Sequence, residues 1–249
     1  MNIAICFLTT IKDHFNLKVL KEQAENSKLH NIDIYTYIND ENVEYINDND
    51  TIYFKYDYLR NKFNYKNYYC NSISNSRYNA GIQFLIWLDM YMNHKNKYDF
   101  YMFYEDDLAY FGEENLFDKI NFDCDFLFQN KRKLVTDDHW TWWYDIFHQN
   151  IDESKPLYHG LLNIYGGKSF VIDKFIDFFV DKIAHHELLI SYFVLNNNYK
   201  VNYINNYISL HCDWRNNVNF SNEYDLMHPI KTLYKYNLIK DLHNLASQI

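Results

Sequence analysis

Glycine and proline are scarce in this chain, which has 5 glycines and 2 prolines among its 249 residues. No internal repeat or low-complexity linker divides the sequence, and a compact α/β domain commonly occupies this length alone. We therefore expect a single domain over residues 1–249. Cysteine is also rare, and the four cysteines form no C-x-x-C pair, so neither a zinc knuckle nor a disulfide framework is indicated.

Long apolar runs and basic clusters are lacking as well. The apolar stretch at residues 3–8 has no basic n-region and is too short for a signal peptide or a membrane span. Together with cysteines that suit a reducing compartment, this favours a cytoplasmic location. The formal net charge is -9 and no segment collects enough lysine or arginine for a nucleic-acid footprint, so we expect no nucleic-acid partner.

Hydrophobic material, by contrast, is abundant, since hydrophobic residues make up 48% of the chain and aromatic residues 20%. This is enough for a sizeable core and argues against disorder. The chain opens with an apolar strand at residues 3–10, an amphipathic helix at 13–27 and a second strand at 31–39. This alternation is typical of an α/β fold with a mostly parallel central sheet and flanking helices.

The alternation continues towards the end of the chain. Further strands are predicted at residues 51–56, 98–104, 125–129 and 204–211, and residues 161–167 form a short apolar run that ends in two glycines. Further helices are predicted at residues 74–94, 172–185, 187–195 and 229–245. Ligands of open α/β sheets bind outside the carboxyl ends of the strands, so Thr9 and Thr10 are candidate ligand contacts after the first strand. Asn39 and Asp40 are candidates after the second strand for the same reason.

The sharpest feature is the acidic triplet Glu105-Asp106-Asp107, which follows directly on the apolar strand at residues 98–104. Adjacent carboxylates repel one another, and a hard divalent cation bound through oxygen offsets that repulsion. An acidic protein that handles a phosphorylated ligand needs such a cation, or a few placed arginines, for the same reason. The alternative is a solvated acidic turn.

A strand that ends in this triplet resembles the metal-binding D-x-D motif of GT-A glycosyltransferases. The helix before the strand opens at residues 76–82 with S-R-Y-N-A-G-I, which is similar to the R-N-x-G-like segment of many such enzymes. The resemblance implies that Glu105 and Asp107 bind the metal. It also implies that Asp106 lies nearer the ribose and that Arg77 lies beside the base or the diphosphate. The triplet reads Glu-Asp-Asp where many relatives have Asp-x-Asp. The resemblance therefore leaves open which carboxylate binds the metal directly and which binds it through water.

Two later residues extend the resemblance. GT-A enzymes often take a further metal ligand from a late strand, where this chain has His211, and imidazole favours manganese, with magnesium as the alternative. Inverting relatives place an acidic general base at a helix start, where this chain has Glu187. The structural alternatives are a histidine hydrogen-bonded in a loop and a glutamate that complements a helix dipole. Residues 185–187 do not belong to an H-E-x-x-H motif, so a zinc protease site is not supported.

Three segments point to an acceptor. Gly166 and Gly167 resemble a glycine-bearing segment through which backbone approaches a sugar, and a plain turn explains them equally well. The aromatic cluster at residues 139–144 suits either stacking on sugar rings or core packing. The lysines and aromatics of the helix predicted at residues 229–245 suggest peripheral contact with a membrane that carries a lipid-linked acceptor.

The resemblance therefore predicts a metal-dependent glycosyltransferase that moves a sugar from a nucleotide-sugar, with UDP-sugars as the first choice, to a carbohydrate, protein or lipid-linked acceptor. Residues 1–110 would bind the donor and residues 111–249 the acceptor. An inactive carbohydrate-binding module of the same fold is one alternative. A nucleotidyltransferase is another, although its glycine-rich loop after the first strand is missing. A glycoside hydrolase would use Glu105 and Glu187 as opposed carboxylates.

Overall fold

The computed structural model describes residues 1–9, 14–64, 82–131, 133–134, 152, 154–160, 162–179, 186–212 and 225–228. The helices are α1 (Phe15–Glu25), α2 (Tyr56–Lys62), α3 (Ile82–Asn93), α4 (Leu116–Lys119), α5 (Ser169–Phe179) and α6 (His186–Asn196). The first strands are β1 (Asn2–Thr9), β2 (Asn31–Asn39), β3 (Tyr45–Asp48), β4 (Thr51–Phe54), β5 (Phe100–Glu105) and β6 (Ala109–Tyr110). The later strands are β7 (Phe126–Phe128), β8 (Lys133–Leu134), β9 (Tyr158–His159), β10 (Ile164–Gly167), β11 (Val201–Tyr203), β12 (Leu210–Cys212) and β13 (Leu226–His228).

Within the described residues, eight strands form one sheet in the order β11-β7-β10-β5-β1-β2-β4-β3. Parallel pairing joins β1 to β2 and β5, β2 to β4, and β7 to β11. Antiparallel pairing sets β10 against β5 and β7, and β3 against β4. Six of the eight strands therefore run in one direction, which confirms the predicted α/β fold with a mostly parallel central sheet.

Helices cover both faces of this sheet. Alternate residues of the central strands are therefore buried on opposite sides. Ile3, Ile5 and Phe7 of β1 pack in a cluster with α1 and α4. Ala4 and Cys6 pack in the other cluster, with α3, α5 and α6. Cys6 and Cys124 are buried free thiols, as expected for small hydrophobic side chains. No helix in the described part of the chain is long and apolar enough to span a membrane.

From β1 to α3 the described residues follow the prediction closely, with two additions. One is α2, which lies before the helix predicted at residues 74–94 and whose buried side chains are Tyr56 and Leu59. The strand β3 was not predicted, because three of its four residues are exposed and it shows little apolar pattern. It pairs with β4 through a tight turn in which Asn49 adopts a φ of 54°.

The strand predicted at residues 204–211 is wrong. The sheet pairing ends at Tyr203, a single 3-10 turn follows at Ile204–Asn206, and β12 belongs to a second sheet. That sheet has the order β12-β13-β6 among the described residues. The predicted strand therefore covers the stretch where the chain passes from one sheet to the other. Ile204 and Ile208 are both buried in this stretch, which explains its apolar pattern.

The turn or sugar-contact role of the glycine pair is also wrong, because Gly166 and Gly167 lie buried inside β10 between β5 and β7. A Cβ atom built on Gly166 would come within 2.6 Å of the Tyr101 carbonyl oxygen and 2.8 Å of the Phe100 ring. On Gly167 it would meet the Phe126 ring at 2.8 Å. The missing side chains therefore permit close packing within the sheet.

Gly166→Ala is accordingly expected to lower the free energy of unfolding by about 1–3 kcal/mol, the usual cost of overpacking a core. The nearest atom belongs to the backbone of β5, which cannot move aside as a side-chain end can. Urea unfolding measures the loss. A free energy of unfolding equal to that of the wild type would contradict the argument.

Candidate functional site at the carboxyl edge of the sheet

The connections of the sheet reverse direction around β1. From β1 the chain passes through α1 to β2 on one side, and from β4 it returns through α2 and α3 to β5 on the other side. In such sheets the crevice outside the carboxyl ends of the two strands at the reversal is the preferred ligand site. Here those ends are Thr9 and Glu105, and the register aligns Leu8 with Glu105. The side chain of Thr9 is buried at this end of β1.

The acidic triplet forms a turn at this edge of the sheet. Glu105 ends β5, and the Leu108 backbone N–H donates to the Glu105 carbonyl oxygen over 3.2 Å. The buried side chain of Asn16, in the first turn of α1, donates from Nδ2 to the Asp106 carbonyl oxygen over 2.6 Å. The turn is therefore tied to the amino end of α1, whose partial positive charge offsets part of the repulsion among the carboxylates.

His14 also faces this turn and was not singled out from the sequence. It is the N-cap of α1, and its Nδ1 accepts from the Asn16 backbone N–H over 3.2 Å. Its Nε2 lies 3.8 Å from Asp106 Oδ2. Burial lowers the pKa of His14 below its usual value, although the charge of Asp107 opposes this effect. Around neutral pH His14 is thus an uncharged cap beside the triplet rather than its counter-ion.

Behind Glu105 lies a hydrogen-bonded pair of amides. Asn163 Nδ2 donates to Glu105 Oε2, and the Glu105 backbone N–H donates to the Asn163 carbonyl oxygen over 3.0 Å. The Asn163 backbone N–H donates to Gln129 Oε1 over 2.8 Å. Gln129 follows β7 and Asn163 precedes the antiparallel β10, so both lie at the same edge of the sheet as Glu105.

Glu187 reaches this edge from the first turn of α6. Its side chain is buried, and its Oε1 accepts from the Leu162 backbone N–H over 3.0 Å. Leu162 directly precedes Asn163, so the segment 162–163 contacts both Glu105 and Glu187. A carboxylate in a first helical turn also complements the helix dipole. The role of Glu187 as general base stays a prediction.

The remaining predicted residues are placed only in part. Thr10 and Arg77 lie outside the described residues, as do the aromatic cluster at 139–144 and the helix predicted at 229–245. His211 belongs to β12 and pairs with Met227, whose other neighbour is Ala109 just after the acidic turn. Two strand spacings, about 10 Å, thus separate the His211 backbone from Ala109. Among the described residues, no three His, Cys, Asp or Glu side chains are grouped to hold a metal.

An open cleft of about 300 Å³ lies farther along the same edge, between the segments that follow β2 and β4. Its lining includes the carboxylates of Glu41, Glu44 and Asp57 and the single cation of Lys55. This excess of negative charge disfavours a diphosphate. Asn39 and Asp40 adjoin this cleft rather than the acidic turn, since Asn39 ends β2 and Asp40 follows it. The edge formed by the carboxyl ends of β1 and β5 is the better candidate for a phosphorylated ligand.

No family model matches the chain, and no curated protein matches its sequence.

Proposed function

We propose that this chain is a metal-dependent glycosyltransferase of the GT-A kind, which transfers a sugar from a nucleotide-sugar donor to a glycan or glycoconjugate acceptor in the cytoplasm. The observation that supports it most is the position of the acidic triplet. Glu105 ends β5 at the reversal of the sheet, beside Thr9 and the amino end of α1. A sheet edge that combines carboxylates with a helix amino terminus at a reversal of the sheet suits a diphosphate bound with a divalent cation.

The residues present fit such a cation if the donor shares its coordination. Glu105 and Asp107 offer hard oxygen ligands, which Mn²⁺ and Mg²⁺ both accept. Magnesium-type sites often use one or two carboxylates, with substrate phosphates and waters completing the shell. The cation would offset the negative charge that builds up on the departing nucleoside diphosphate. In this proposal His211 is a further ligand, Asp106 contacts the ribose, and Thr9, Thr10 and Arg77 contact the donor.

The protein's own groups would orient the reactants around this edge. The amino end of α1 faces the acidic turn and favours an anionic group there. Glu187 is the proposed general base, which takes the proton of the acceptor hydroxyl as that oxygen attacks the anomeric carbon. Its hydrogen bond to Leu162 would keep the carboxylate on the same edge as Glu105.

Shared coordination makes binding of metal and nucleotide interdependent, and thermal unfolding tests this directly. UDP, GDP, CMP and their sugars are each added with and without Mn²⁺. A ligand at about 100 times its Kd adds roughly 2.7 kcal/mol of stability, which is a shift of several degrees for a chain of this length. We expect one nucleotide, with UDP as first choice, to stabilise the protein only when Mn²⁺ or Mg²⁺ is present.

A chain that no nucleotide stabilises under any condition would contradict the proposal. The acidic turn would then be a solvated turn, and a sugar-binding module without a donor site would explain the fold better. Stabilisation by a nucleoside triphosphate in preference to every nucleotide-sugar would favour a nucleotidyltransferase instead.

A further inference from the structure

The Glu105 side chain, at the end of β5, is held by a hydrogen bond from Asn163. A glutamate side chain has several rotatable bonds, and its freedom costs free energy to remove when a ligand binds. Asn163 contacts Glu105 twice, once at the carboxylate and once at the backbone N–H. One contact holds the carboxylate, and the other holds the backbone from which the side chain extends.

The direction of the Asn163 amide follows from its neighbour. An amide oxygen turned towards the Glu105 carboxylate would repel it, so the Nδ2 group faces Glu105 as a donor. Only 8% of Asn163 is exposed, and Gln129 is fully buried, so water competes little for these hydrogen bonds. Gln129 holds the Asn163 backbone N–H and thereby sets the position of the whole residue.

Gln129 brings a polar side-chain amide into a fully buried position. Its Nε2 is buried and has no hydrogen-bond partner within the described part of the chain. A buried unpaired donor costs about 1–3 kcal/mol. An apolar residue of similar size would avoid that cost but would leave the buried Asn163 N–H without its acceptor. This supports a role for the Gln129 oxygen in placing Asn163.

We infer that Asn163, supported by Gln129, is a positioning residue that presets the Glu105 carboxylate for a divalent cation. This inference rests on the proposed function, since it assumes that Glu105 binds the metal. Partners that orient a ligating carboxylate contribute to metal affinity because they reduce the conformational freedom that the carboxylate side chain loses when the metal binds. The same segment holds Glu187 through the Leu162 N–H, so the metal ligand and the proposed base share one support.

The test is a titration of Mn²⁺ into the full chain by calorimetry, in the presence of a saturating concentration of the nucleoside diphosphate that stabilises the wild type. Asn163→Leu keeps the size and the backbone bonds but removes the Nδ2 donor. We expect its Kd for Mn²⁺ to rise about 10- to 100-fold, as is typical when such a partner is lost. Gln129→Met removes only the support of Asn163 and should raise the Kd by a smaller factor.

Asn202→Leu is the matched control. Asn202 lies in β11 of the same sheet and also donates through Nδ2, over 2.8 Å, but to the Asn121 carbonyl oxygen away from the acidic turn. Its substitution should leave the Mn²⁺ affinity as in the wild type. Unfolding curves recorded without ligand separate lost stability from lost affinity, and Gln129→Met carries the test if Asn163→Leu does not fold.

Two outcomes would overturn the inference, and they differ in what else they overturn. If the wild type binds Mn²⁺ with nucleotide and both variants bind it equally well, Asn163 has a purely structural role while the proposed function stands. If the wild type itself binds neither the cation nor any nucleotide, the proposed function fails and the inference fails with it.

Discussion

Asp107→Asn is expected to remove the metal-dependent stabilisation by nucleotide and to slow hydrolysis of the sugar donor by at least about 100-fold. The substitution keeps the shape of a partly buried side chain and removes its charge. A neutral amide oxygen is a much weaker ligand for a hard divalent cation than a carboxylate. Without the cation, the carboxylates of the turn would repel the diphosphate instead of binding it.

The measurement combines thermal unfolding with release of nucleoside diphosphate from the donor. In the wild type, donor and Mn²⁺ at about 100 times the Kd should add roughly 2.7 kcal/mol, and in Asp107→Asn most of this gain should vanish. Glu105→Gln should behave in the same way, because Glu105 is the other proposed ligand. Its hydrogen bond from Asn163 can survive in the variant, since a glutamine oxygen also accepts.

The control for both variants is Glu113→Gln, which removes one negative charge from an exposed residue a few positions after the turn. It should bind donor and Mn²⁺ as the wild type does, because exposed charges beyond the site are screened by salt. If Asp107→Asn and Glu113→Gln gave the same nucleotide-dependent shift, Asp107 would have no part in a metal site.

The acidic turn could be predicted from the sequence because an apolar run of strand length stops abruptly at three consecutive carboxylates. In the structure β5 ends at Glu105, the first of these three residues. The strands β1 and β2 and the helix α1 between them were equally predictable, since their apolar patterns are strong. The parallel direction of these strands followed from the helices that connect them.

The support behind the turn could not be predicted in this way. Asn163 lies 58 positions from Glu105 and 34 from Gln129. A polar residue next to a strand is common, and nothing local to the sequence indicates which distant group it contacts. The register of the antiparallel β10 brings these residues together, and the two buried glycines allow β10 to pack closely in that register. Gln129 even lies within a strand predicted at residues 125–129, where it gives no sign of a buried contact.

The contact of His14 and the end of the late strand were missed for other reasons. A histidine before a helix gives a weak N-cap signal, and its contact with Asp106 depends on how α1 packs beside β5. The strand predicted at residues 204–211 had sufficient apolar residues, but the pattern does not reveal that the chain passes from one sheet to another. Periodicity identifies buried residues better than it identifies the sheet to which they belong.

Lys62→Met is expected to lower the free energy of unfolding by about 3 kcal/mol, near the lower end of what breaking a buried ion pair costs. Lys62 Nζ lies 2.5 Å from Asp89 Oδ1, and the Asp89 side chain is 0% exposed. The pair joins α2 to α3. Without the ammonium group, Asp89 would keep a buried negative charge that, among the described residues, is supported only by neutral donors. These donors are the hydroxyls of Tyr37 and Tyr45 and the side-chain amide of Asn93.

The matched control is Lys95→Met, which should cost less than about 1 kcal/mol. Lys95 Nζ lies 2.7 Å from Asp173 Oδ1, so the geometry is similar, but both side chains are roughly two-fifths exposed, at 43% and 40%. Water can replace the lysine at Asp173 and cannot at Asp89. Urea unfolding with an unchanged m-value measures both losses. Equal losses in the two variants would mean that burial of Asp89 does not set the strength of its ion pair.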